Sequence, residues 1–169
     1  LMSNADPIED ANTAVEVGDY KKALELLQPL AEQGSEEAQT RLGALYIIGQ
    51  RVKKDIGKGL FWIMKAATRG YDTARRVAFK VYLDVSEQGD TSILFNLGYM
   101  CLKGWGGDHD AGVCTEWLKS AGEIGHEQSL KLLEKVYAEG LYGITPDEEE
   151  ATFWRNLQAG FAAGLYENW

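Results

Sequence analysis

Three prolines, two cysteines and two histidines are all that the 169 residues hold of those types, and each shortage narrows the field. With so little proline, long stretches carry no residue that lacks a backbone N–H and blocks the preceding turn, so helices can form uninterrupted. His109 and His126 have no second His, Cys or carboxylate at the spacings zinc sites use. In GGDHDAG, Asp108, His109 and Asp110 carry atoms that could hold a cation, but an acidic cap before the next helix explains the same letters. No metal is therefore expected. No apolar run approaches the roughly 18 to 20 residues that span a bilayer, and LMSNADPIED has neither a basic start nor an apolar core. Met2 reads as the native start with Leu1 appended, although a cleaved signal or a domain cut from a longer chain would read the same. The cytoplasm is favoured, and a periplasmic or secreted location stays open if an export signal was removed. Basic residues are outnumbered 17 to 26, for a net charge of -9, which penalises approach to a phosphate backbone and argues against nucleic acid. There is no Gly-x-Ser-x-Gly turn, phosphate-cradling glycine loop or paired-carboxylate motif. Neither an enzyme nor a cofactor is expected.

What the chain does contain is helix-forming Ala, Leu, Glu, Lys and Gln in periodic stretches, which predicts an all-α fold. It also repeats itself. Ser35 to Gly70 carries Ala38, Leu42, Gly43, Tyr46, Gly49, Val52, Asp55, Trp62, Lys65, Ala66, Ala67 and Gly70 as landmarks. A second copy, 55 positions on, has Leu97, Gly98, Gly104, Trp117, Ala121 and Gly125. A third, 91 positions on, has Leu133, Tyr137 and Gly140, then Trp154 after one inserted residue. Ala38, Leu42, Leu45, Tyr46 and Gly49 share one helical face, the stripe a first helix needs for packing. Gly43 permits close approach, Gly49 stops that helix, and Asp55 is placed to cap the next after the loop GQRVKK. Trp62, Ala66 and Ala67 line the second helix, small residues admitting the first helix while the indole fills the wedge between pairs.

The pattern A-xxx-LG-xx-Y-xx-G, V-xx-D, W-xx-KAA-xx-G resembles the bacterial Sel1-like repeat, a relative of the tetratricopeptide repeat, and GDYKKALELLQPLAEQG resembles its opening half-repeat. The resemblance implies a right-handed α-α superhelix, a solenoid of eight or nine helices in one domain. Its map is a tail at 1–10 and a repeat domain at 11–169: half-repeat 11–34, repeat 35–70, inserted half-repeat 71–89, repeats 90–125 and 126–164, and a cap at 161–169. Ala74, Ala78 and Tyr82 echo a first helix without a second, so the array should kink or restart near residue 88, where SEQGD supplies turn chemistry. In Thr145-Pro146-Asp147-Glu148, a capped start with proline at the first helical position and Glu148 completing a capping box is expected.

Solenoids of this kind expose one side of each first helix on the inner surface. Projecting the register puts Thr40 and Ala44 there, then Arg76 and Lys80, Phe95 and Tyr99, and Lys131 and Lys135, with Arg41 extending the strip. Two aromatics among cations suit an acidic or extended peptide; the alternative is an ordinary solvated face. The register also places Cys101 and Cys114 at the positions of Tyr46 and Gly59, on facing turns. A disulfide is sterically allowed there in an oxidising compartment, the alternative being two buried thiols. By resemblance, the expected function is a scaffold or adaptor that binds a partner protein or peptide through its concave face. An immunity protein that neutralises a secreted bacterial toxin is the alternative. A secreted hydrolase of cell-wall or β-lactam compounds comes third.

Overall fold

The computed structural model describes residues 5–49, 52–88 and 90–167. Among them the regular structure is entirely helical: α1 (Pro7–Glu16), α2 (Tyr20–Glu32), α3 (Glu36–Ile48), α4 (Ile56–Thr68), α5 (Asp72–Val85), α6 (Thr91–Leu102), α7 (Ala111–Glu123), α8 (Glu127–Glu139) and α9 (Glu148–Ala162). Short 3₁₀ turns follow α5 and α8, at Ser86–Gln88 and Leu141–Gly143. Helix starts follow side chains that satisfy otherwise orphaned N–H groups. Ser35 accepts from the Ala38 N–H, Asp55 from Lys58, Asp110 from Gly112 and His126 Nδ1 from Ser129. Helix ends use left-handed glycine: at Gly49 (φ 66°) and Gly140 (φ 70°) the N–H donates back to Leu45 and Val136.

Two starts differ from the sequence reading. Helix α1 begins at Pro7, inside the expected tail, because Asp6 accepts from the Ile8 N–H and proline is pre-set for the first turn. Helices α1 and α2 form the first hairpin. At the other end Asp147, not Thr145, caps α9 by accepting from the Glu150 N–H, so Glu148 opens the helix instead of closing a capping box. The expected turn at Gly89, residues Gln50 and Arg51 of the GQRVKK loop, and Asn168 and Trp169 of the cap lie outside the described residues.

The chain divides into two compact units, Leu1–Ala78 and Phe79–Trp169. In the first, α1 packs on α2, α2 on α3 and α3 on α4, around Ala11, Ala23, Leu27, Ala31, Ala38, Leu42, Leu45 and Trp62. A Cβ on Gly43 would sit 2.5 Å from the Gly59 carbonyl and 2.6 Å from Ile63, and one on Gly59 would meet Ile47 at 2.5 Å. That pairing, 43 with 63 and 47 with 59, marks α3 and α4 as antiparallel and backbone-close. In the second unit α6 packs on α7, α7 on α8 and α8 on α9. Leu118, Leu130, Leu133 and Trp154 form a core there, and Gly98 repeats the Gly43 role against Leu118.

Candidate functional site

Helix periodicity builds a groove in the first unit. Asn12, Val15 and Glu16 present one side of α1, Arg41, Ala44, Leu45 and Ile48 one side of α3, and Leu27 of α2 closes the floor. The hollow is about 420 Å³. Its apolar lining is not sealed: Ile48 is 57% exposed. Arg41 is pinned at the rim, with Nε and Nη2 donating to Glu37 Oε1 at 3.1 and 2.8 Å and Nη1 donating to Asn12 Oδ1 at 2.7 Å. A guanidinium held by its own helix and by α1 keeps one direction instead of sampling many, which lowers the cost of meeting a ligand.

Thr40, expected on this exposed face, is buried, and its hydroxyl donates to the Glu36 carbonyl at 2.8 Å. Helix geometry explains the difference, since a small hydroxyl satisfied by the preceding turn can be buried where a cation could not. Arg76, on α5, is exposed in the first unit. The other projected residues belong to the second unit. Lys80 and Lys135 are exposed there, while Lys131 is tied to Glu127 at 2.6 Å. Phe95 and Tyr99 are stacked with ring centroids 5.9 Å apart and are half-buried. Phe95 also packs on the Leu118, Leu130, Leu133 and Trp154 core and lies 5.2 Å from the His126 ring. It serves the interior as much as a surface.

The remaining candidates have structural partners. His109 lies 5.4 Å from Phe79, ring to ring, with Nε2 3.0 Å from the Gly106 carbonyl. Among the described residues no three of His, Cys, Asp and Glu gather as a metal site would require. Cys101 of α6 and Cys114 of α7 form a disulfide, Cα atoms 5.3 Å apart, and both are buried. Burial would lower the Lys119 pKa, but a hydrogen bond with Tyr137 and the charges of Tyr137, Glu150 and Glu116 outweigh it and leave the group raised. Sequence reasoning missed Asn12, Val15 and Ile48. The first two sit on a helix that starts in the expected tail and runs into the expected half-repeat, and the Asp6-Pro7 cap was the signal that could have revealed it.

Four segments, 13–35, 36–71, 94–126 and 128–154, match the Sel1 repeat. The chain belongs to the Sel1 repeat family. The Sel1 match passes over 72–93, the stretch holding α5, which the landmarks also left without a second helix. Among solved structures, the chain is similar to a Sel1 repeat protein from Oxalobacter formigenes, at 25% identity over 91% of this chain and 73% of that one, TM-score 0.45. It is also similar to a protective antigen of uropathogenic Escherichia coli with an SLR fold, at 23% identity over 90% of this chain and 37% of that one, TM-score 0.44. No curated protein matches the chain.

Proposed function

We propose that the protein is a non-catalytic scaffold that binds a partner protein or peptide on exposed first-helix faces, with the α1–α3 groove as the principal contact in the first unit. The observation that carries this reading is the combination at that groove of an open apolar lining and a fixed cation, Ile48 beside Arg41. An apolar side chain entering over Leu45 and Ile48 would leave water, while a carboxylate or carbonyl of the same segment would meet Arg41. Arg76, Lys80, Tyr99 and Lys135 belong to the same proposal as secondary contacts. The buried Cys101–Cys114 disulfide supports a periplasmic or secreted setting over the cytoplasm, because cytosolic thiols are kept reduced.

Ile48→Asp tests the reading, because the side chain is more than half exposed and its replacement leaves the core intact. Captured partner should fall about tenfold or more from lysate of the cell that makes the protein, as for loss of an interface anchor. Undiminished capture by the folded variant would remove the groove from the interface.

A further inference from the structure

Formal charge is unevenly divided along the chain. Leu1–Ala78 holds eleven acidic and eleven basic residues and Phe79–Trp169 fifteen and six, so all of the -9 falls in the second unit. That unit also carries an apolar groove where α7, α8 and α9 end or begin. Two adjoining hollows of about 500 and 280 Å³ share the Phe161 ring; Ile124, Leu157 and Tyr166 line the larger and Leu130 floors the smaller. The ring is seated rather than loose. It presses on the α7–α8 turn at Gly125, where a Cβ would come within 2.9 Å, and Tyr166 folds back onto it with centroids 4.7 Å apart. Ile124 stands 63% exposed beside it. The charged residues lining the hollows are both acids, Glu123 and Glu127. Glu127 is engaged by Lys131, whereas Glu123 stands at the rim of the larger hollow.

We infer that this groove docks a cationic amphipathic segment of a partner protein, with apolar side chains over Ile124 and Phe161 and a lysine or arginine facing Glu123. Apolar lining alone would admit many occupants, and charge discriminates among them. A second copy docked through this same surface would bring its own -9 unit against this one, and an acidic peptide would meet the same repulsion; a basic segment gains from the field at every approach. The inference rests on the protein-binding reading above and names the partner chemistry of a separate surface, without depending on the α1–α3 groove.

The test uses the full oxidised chain and a fluorescein-labelled 14-residue peptide of leucine and lysine at helical spacing, with its leucine–glutamate counterpart as control, followed by anisotropy. The lysine peptide should bind and the glutamate peptide should not. Ile124→Ser and Glu123→Lys should each weaken binding about tenfold, the loss expected of an anchor position. Glu139→Lys makes the same charge change at an exposed position outside the groove and should weaken it less than about twofold, as rim or remote charges do. Equal losses for Glu139→Lys and Glu123→Lys would overturn the inference in favour of bulk attraction, as would wild-type binding by Ile124→Ser. A dimer of the free chain that Ile124→Ser dissociates would overturn it in favour of a second copy. Ile48→Asp should bind the peptide normally, so failure here and failure of the α1–α3 reading are told apart.

Discussion

Trp62 and Trp154 hold the same place in two repeats, yet their indoles meet different fates, and the cause lies four residues upstream. Glu150 accepts from Trp154 Nε1 at 2.9 Å, whereas Lys58 offers Trp62 only another donor and stands over the Tyr46 ring at 4.5 Å. Trp62 Nε1 is buried with no partner. A buried donor left unmet costs about 1–3 kcal/mol, so Glu150→Ala should lower unfolding free energy by about that much and Glu150→Gln, which retains an acceptor, by much less. Equal losses in denaturant melts would show that the carboxylate acts otherwise. Neither indole's state was legible in the Trp landmarks, which record size and position; the residue at i−4, outside the repeat pattern, decides it. The cap of α9 shows a similar limit. Thr145 and Asp147 are both sound caps in isolation, but Pro146 packs at 2.6 Å from a Cβ placed on Gly140, and the Asp147 carboxylate accepts from the Glu150 N–H at 3.1 Å.

Within a hairpin, close approach and covalent closure do the same job in the two units. At Gly43 and Gly59 the α3 and α4 backbones meet with no room for a methyl group. Alanine would gain roughly 1 kcal/mol of helix propensity at Gly43, but forcing a Cβ to 2.5 Å from a carbonyl costs about 1–3 kcal/mol or more, so Gly43→Ala should destabilise on balance. A thermal midpoint at or above wild type would refute the crossing. In α6 and α7 the Cys101–Cys114 bridge closes a loop with a sequence separation of 13. The chain-entropy relation gives about 3 kcal/mol for a loop of that size. Replacing both cysteines by alanine should therefore cost about 2–3 kcal/mol, with the largest rise in hydrogen exchange in α6 and α7. Unchanged exchange there would show that the bridge adds nothing. Helix hairpins were the most legible feature of the sequence, because Leu42, Gly43 and Trp62 and the counterparts Leu97, Gly98, Leu133 and Trp154 are buried at helical spacing. The start of helix α1 was hidden because its buried face consists of only Ala11 and Ala14, too weak an apolar signal to mark a separate helix ahead of α2.

Across the whole chain, repeat landmarks say where helices pack and little about what each unit offers a partner. The projected strip has members in both compact units, and two of its cations have acidic or amide partners, Arg41 with Glu37 and Asn12 and Lys131 with Glu127. Charge division between the units was available in the residue order but is masked by the net value of -9. The central claim is that a partner protein occupies the α1–α3 groove, and site-specific photocrosslinking tests it most directly. With benzoylphenylalanine at position 48 in the cell that makes the protein, a discrete adduct should form that is absent when the probe replaces Lys21, which is exposed and outside the groove. Equal crosslinking from both positions, or none from position 48, would contradict the account.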